Sequence, residues 1–260
     1  VLFAIVLAYN QPTTNKYRAE GMFRHLANAC VCTLIVISSQ HAIATENPDP
    51  WENVNRKIFV FNKNADTYVL KPIARGYRAA TPDIVDNSIT RFFDNLQQPL
   101  VIINNGLQGK GQQAASDTGR FLVNTITSLG FADVASHMGL VKHEEDFGQT
   151  FGKWGASSGA YVMLPFLGPS SVRDALAKPL DMLVNPRNLL DDAPLNMALA
   201  GLQVVDTRAD LIPIEKIIEG DEYLFLRDIY LQRREFLVQD GKVKDSFMDD
   251  MDDESNEAAQ

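Results

Sequence analysis

Apolar side chains recur every three or four residues over most of this chain, the period of a helix with one buried side. After Pro50 the positions Trp51, Val54, Ile58, Phe61, Ala65 and Tyr68 share one stripe, which predicts an amphipathic helix ended by Pro72. Pro82-Asp83 opens a second helix, with Val85, Ile89, Phe92, Phe93 and Leu96 on a broad face, ended by Pro99. The apolar run continues from Leu100 to Ile103 into Asn104-Asn105-Gly106, which reads as a stop. A third helix is expected from Gln112 to Leu129, then Val172 to Leu183, then Leu195 to Val205. Asp221 caps a last one, in which Tyr223, Leu226, Tyr230 and Leu237 share a face. No alternating strand pattern rises above this, so the expected fold class is all-α, in one domain without repeats.

Glu145 to Asp174 breaks the pattern. Gly148, Gly152, Gly155 and Gly159 recur every three or four residues, and each Gly costs about 1 kcal/mol relative to Ala inside a helix. The segment is expected to be a turn-rich loop whose backbone passes close to something else. Leu164-Pro165 and Gly168-Pro169 stop regular structure, and Ser170 offers a cap for the helix from Val172. A solvated linker would not carry Phe147, Phe151, Trp154, Tyr161, Met163 and Phe166.

Composition changes the picture mainly at the two ends. Met22 to His25 is a short basic region, Ala29 to Ile37 an apolar core, and Ala42-Ile43-Ala44 an A-x-A cleavage site. Residues 1–44 are expected to be an upstream extension and a secretory signal peptide, cut between Ala44 and Thr45. Cys30 and Cys32 fall inside the apolar core, so no lipid anchor is expected; the 216 residues from 45 onward hold no cysteine. Those residues carry 21 basic against 32 acidic side chains, a balance that disfavours a nucleic-acid partner. Seven of the acids lie in residues 245–260 without a basic partner, so that stretch reads as a disordered acidic tail behind a helical domain at 45–244.

Motifs for chemistry are sparse. Gly155-Ala156-Ser157-Ser158-Gly159 fits G-x-S-x-G, but a nucleophile elbow needs a strand before Ser157 and a histidine downstream, and none follows His143. His137 and His143 with Glu144 or Asp146 could make a zinc site of two His and a carboxylate, since His143 and Asp146 are three apart; solvated charge is the plainer reading of that HEED run. Neither catalysis nor a metal or cofactor is expected. Asn55, Asn62, Asn95, Asn104 and Asn124 each border an apolar stripe, where helices disfavour Asn. Hydrogen bonds to chain breaks explain them, and so does a polar path for a head group.

The motif order resembles the VacJ/MlaA family. DPWENVNRKIFVFN (Asp49 to Asn62), LKP (Leu70 to Pro72), NNGLQG (Asn104 to Gly109) and RFLVNT (Arg120 to Thr125) come first. DFGQTFGKWG (Asp146 to Gly155) and the G-x-Y-x-x-L-P-x-x-G-P-S-x-x-R-D block from Gly159 to Asp174 follow. The likeness covers Asp49 to Arg187 and, more weakly, the chain to Gln239. It departs from the family pattern at Ser128, Ala156 and Ala160 and in lacking the lipoprotein cysteine after the apolar core. The resemblance implies a ring-like helical body with an amphipathic channel, on the periplasmic side of a Gram-negative outer membrane. Its implied partners are phospholipid, an outer-membrane porin trimer and a soluble periplasmic phospholipid carrier. Its implied task is to remove misplaced phospholipids from the outer leaflet. A sheltered route is a physical need, since each acyl CH₂ exposed to water costs about 0.8 kcal/mol. A non-transporting envelope scaffold and a periplasmic lipid hydrolase are the alternatives.

On these grounds Phe59, Val60, Phe61, Asn62, Phe147, Trp154 and Tyr161 are the candidates for lipid path or membrane contact. The Trp51 to Leu70 helix is expected to be held on two sides: its main stripe on the core, and Phe59 and Val60 among acyl chains. Arg56, Lys57 and Lys63 would then lie at anionic head groups.

Overall fold

A computed structural model describes residues 47–217 and 220–242. The expected signal peptide, the cysteines and the expected acidic tail lie outside those residues. Helices dominate: α1 (Glu52–Ala65), α2 (Lys71–Ala80), α3 (Asp83–Leu107), α4 (Gly111–Ser128), α5 (Val134–His137), α6 (Phe147–Lys153), α7 (Val172–Val184), α8 (Ala193–Leu211) and α9 (Glu222–Val238). One antiparallel hairpin, β1 (Tyr161–Leu164) with β2 (Gly168–Ser171), pairs Tyr161 with Ser171 and Leu164 with Gly168. The fold is therefore all-α with a small hairpin set into it. No described helix is long and apolar enough to cross a membrane.

Two prolines expected to end helices do not. At Pro72 the chain runs from α1 through one wide turn, Asp66–Leu70, in which the Lys71 N–H reaches back five residues to the Asp66 carbonyl. That widening restarts the helix at Lys71, so Pro72 falls in a first turn, where its missing N–H costs little. Pro99 stays inside α3, whose Phe93 and Val101 are buried on either side of it. Asn104 and Asn105, expected as a stop, lie fully buried in the last turns of α3. Burial against neighbouring helices outweighs local signals of this size.

The glycine-rich stretch is also more ordered than a loop. Gly148 and Gly152 sit inside α6, whose Asp146 cap accepts from the Gln149 N–H at 2.8 Å. A side chain at Gly148 would put a Cβ 2.4 Å from an Asp174 carboxylate oxygen, and one at Gly152 would meet Arg173 at 2.7 Å. The expected close approach is real; a charged cluster, described below, is what approaches. The helix after the hairpin begins at Val172 as expected, but Ser171, not Ser170, caps it, accepting from the Asp174 N–H at 3.2 Å. Ser170 is spent in β2.

Hydrophobic clusters are small. Phe147 and Phe151 pack with Ala177 and Leu180 of α7, and Tyr161 and Met163 pack with Tyr223 of α9. Among the described residues 12 hydrophobic side chains are buried against 17 polar or charged ones. Polar contacts therefore share the interior with apolar packing.

Candidate functional site

Three features meet around the hairpin. The first is a clamp. Asn55 and Asn62, two helical turns apart on α1, take up the free edge of β1. Asn55 donates to the Tyr161 carbonyl at 3.1 Å and accepts from the Met163 N–H at 2.9 Å. Asn62 donates to the Leu164 carbonyl and accepts from the Phe166 N–H, both at 2.9 Å. Each amide thus replaces the peptide group of a missing neighbouring strand. Asn55 also donates to buried Asp49 at 2.8 Å, and the Tyr161 N–H donates to the Pro48 carbonyl at 2.8 Å. At the tip Phe166 is held at φ 62° and is 77% exposed, its ring 5.1 Å edge-on to Phe61. An aromatic residue in that backbone region costs about 1–3 kcal/mol, so surrounding contacts must hold it there.

The second feature is a buried ion cluster joining α6, α7 and α9. Arg234 donates to Asp146 at 2.6 and 2.9 Å and to Asp174 at 3.0 Å, Arg173 donates to Asp174 at 3.0 Å, and Tyr230 donates to Asp174 at 2.6 Å. Burial pushes the Asp146 and Asp174 carboxyls upward, and the arginines override it, holding both below the usual carboxylate range. Asp181, which accepts from the Phe147 N–H at 3.0 Å, has no such partner; burial and the Asp146 charge push it up to about 7.

The third feature is apolar surface. Thirty-one large hydrophobic side chains are exposed among the described residues, against 12 buried hydrophobic residues. Val54 and Phe61 on α1 and Tyr68 in the wide turn that follows it are exposed at intervals of seven residues, and Tyr68 reaches 78% exposure. Ile84 and Ile126 extend that exposure to α3 and α4.

This placement revises the expected helix. Of the stripe expected on the core, Trp51, Val54, Phe61 and Tyr68 are exposed, Ala65 is half-buried, and Ile58 does pack inward against the Tyr161, Met163 and Tyr223 cluster. Phe59, expected among acyl chains, packs edge-on against Tyr223 at 5.7 Å. The reason is polar: Asn55 and Asn62 must face β1, and they carry Ile58 and Phe59 inward with them. Arg56 and Lys63 are not free for head groups either. Arg56 pairs with Asp221 at 2.9 Å, and Lys63 pairs with Glu222.

Of the seven candidate residues, Phe59, Asn62, Phe147 and Tyr161 are enclosed or half-enclosed by protein; Val60, Phe61 and Trp154 reach the surface. Trp154 donates from Nε1 to the Leu107 carbonyl at 3.2 Å, closing the end of α3. The other asparagines are tied into the protein too, and Asn124 takes up the backbone at the start of α5. Asn104 donates to the Leu100 carbonyl at 2.9 Å and accepts from Thr150 at 2.6 Å; Asn124 accepts from the Ala135 N–H at 2.9 Å. The motif blocks are thus largely one another's hydrogen-bond partners. Arg234 escaped the sequence reading, and so did the strained backbone at Phe166. Arg234 lies 60 residues beyond Asp174, past the strong motifs, and a positive φ at Phe166 leaves no pattern in the sequence.

Ser157 is exposed, with a helix before it and a strand after it, the reverse of a nucleophile elbow. His143 lies 3.0 Å from Asp117, Asp146 turns to Arg234, Glu144 to Arg233, and His137 stands exposed at the end of α5, so the metal candidates diverge. Among the described residues no group of three or more His, Cys, Asp or Glu is placed to hold a metal.

The family model of the MlaA lipoprotein matches residues 47–237, which include the clamp, the ion cluster and the exposed face of α1. The chain belongs to the MlaA lipoprotein family. It is 34% identical over 203 residues to the intermembrane phospholipid transport system lipoprotein MlaA of Escherichia coli K12, covering 75% of this chain and 80% of that one. The Haemophilus influenzae protein of the same name is 30% identical over 217 residues, covering 80% and 87%. A solved structure from work on the structural basis for maintenance of bacterial outer membrane lipid asymmetry superposes with a TM-score of 0.62 at 30% identity. It covers 73% of this chain and 98% of that one.

Proposed function

We propose that this protein is a phospholipid transport component of the outer membrane. It sits on the periplasmic side, takes misplaced phospholipids from the outer leaflet and hands them to a soluble periplasmic carrier, beside a porin trimer. The observation that carries this is the inverted surface: 31 exposed large hydrophobic side chains against 12 buried hydrophobic residues. Water would charge about 25 cal/mol for each Å² of such surface, whereas lipid accepts it freely. With no helix among the described residues long and apolar enough to span, this part of the chain would lie in the interfacial region with Val60, Phe61, Trp154 and Phe166 among acyl chains. The names of the relatives support transport between membranes, and the polar interior supports a rigid body that keeps its shape in lipid.

A strain lacking the protein tests this through phospholipid exposed on the cell surface. Transport predicts a rise on deletion, reversed by the restored chain. A scaffold would bind porin and leave that quantity unchanged, and a hydrolase would release fatty acid from phospholipid when purified.

A further inference from the structure

We propose that Arg187 recognises the phosphodiester of a phospholipid whose acyl chains lie on the apolar side chains of residues 182–197. The proposal rests on the transport function above and names a site for its substrate. Arg187 stands on the single turn Pro186–Leu189 between α7 and α8. Its backbone N–H and Nε donate to Asn185 at 3.0 and 3.3 Å, and its carbonyl accepts from Asn196 at 3.1 Å, so the turn holds the side chain in place. Its Nη1 is buried and has no partner. Among the described residues, every other arginine that is not exposed lies within 4.0 Å of a carboxylate: Arg56, Arg120, Arg173, Arg208, Arg227 and Arg234. Arg187 has none.

A half-buried guanidinium with one orphaned nitrogen and no counter-charge is costly, and only burial acts on Arg187, lowering its pKa. It stays protonated all the same, because arginine starts so high. An anion with planar oxygen pairs would satisfy it, and phosphodiester is such a group. The surroundings choose among anions. Leu189 and Met197 are each 76% exposed, and Met182 and Leu195, close to Arg187 along the chain, are 45% and 46% exposed. Inorganic phosphate would cover the guanidinium and leave those side chains in water; a phospholipid covers both. Asp192, the acid closest in sequence to α8, is already spent capping it at Leu195 N–H, 3.0 Å away.

The test is calorimetric titration of the full chain in maltoside detergent with dihexanoylphosphatidylglycerol, inorganic phosphate and dihexanoylglycerol. The wild type should bind the phospholipid more tightly than either comparator. Arg187→Met should weaken phospholipid binding by about tenfold or more, with Arg187→Lys between the two. Leu189→Ser with Met197→Ser, both at exposed positions that leave folding intact, should weaken phospholipid binding and spare phosphate. Phospholipid binding unchanged in either variant overturns the proposal, as does phosphate binding equal to that of the phospholipid in the wild type. Were Arg187→Met to bind lipid normally and also reverse the rise in surface phospholipid of the deletion strain, this site would be refuted while transport stood.

Discussion

The ion cluster under the hairpin and the outer face of α1 invert what each position would hold in a water-soluble domain. Inside, Asp146, Asp174, Arg173 and Arg234 occupy space where apolar side chains usually pack. Outside, Val54, Phe61 and Tyr68 occupy a face where charges usually stand. Burying charges rarely improves on hydrophobic packing in net stability, but breaking a buried pair is expensive. In lipid the difference acquires a purpose. Apolar packing gains little there, because lipid tails solvate apolar side chains as well as a core does, whereas satisfied polar contacts specify one arrangement.

The largest expected effect comes from removing the cation at the centre of the cluster. Arg234→Met leaves buried Asp174 and part-buried Asp146 facing each other without the cation between them and should cost about 3–5 kcal/mol in denaturant unfolding of the detergent-solubilised protein. Wild-type stability in that variant would show that the interior is held by its apolar clusters instead. Next is Gly148→Ala. Helix propensity alone predicts a gain of about 1 kcal/mol, but the 2.4 Å approach of Asp174 predicts a net loss of about 1–3 kcal/mol. The sign of the change decides which holds.

A pH series sharpens the same contrast. Asp181 has its folded pKa raised to about 7, so the native state holds a proton that the unfolded chain releases. Its contribution is complete below the unfolded carboxylate value near 4 and is lost as pH rises through 7. Asp146 and Asp174 act oppositely, contributing at neutral pH and losing it as pH falls through their lowered values. Asp181→Asn, which keeps an acceptor for the Phe147 N–H, should flatten the decline between pH 5 and 8 and raise stability at pH 8 by about 2 kcal/mol. An unchanged pH profile would remove Asp181 from the account.

The smallest effect on folding is expected outside. Val54→Ser with Tyr68→Ser should shift unfolding by about 0.5 kcal/mol or less, yet reduce flotation with phospholipid vesicles several-fold. A large stability loss would mean that this face is covered by protein.

Local signals settled a great deal. Helical period placed nearly every long helix, and the Asp221 cap is where its acidic side chain predicts, accepting from the Tyr223 and Leu224 N–H groups. The motif order carried the family, because each block keeps residues that only long-range partners explain. What the sequence could not supply was which side of an amphipathic helix faces in. Both a soluble and a lipid-bathed helix show the same 3.6-residue stripe, and the stripe does not say which solvent it meets. Two asparagines decided it for α1 by pairing with a hairpin more than 100 residues away. The helix breaks at Pro72, Pro99 and the glycines failed as signals for a related reason. Each is worth about 1–3 kcal/mol locally, and the helices and charges packed around them supply more. Only the assembled fold brings Arg234 to Asp146 and Asp174, so the close contact that requires Gly148 became visible only there.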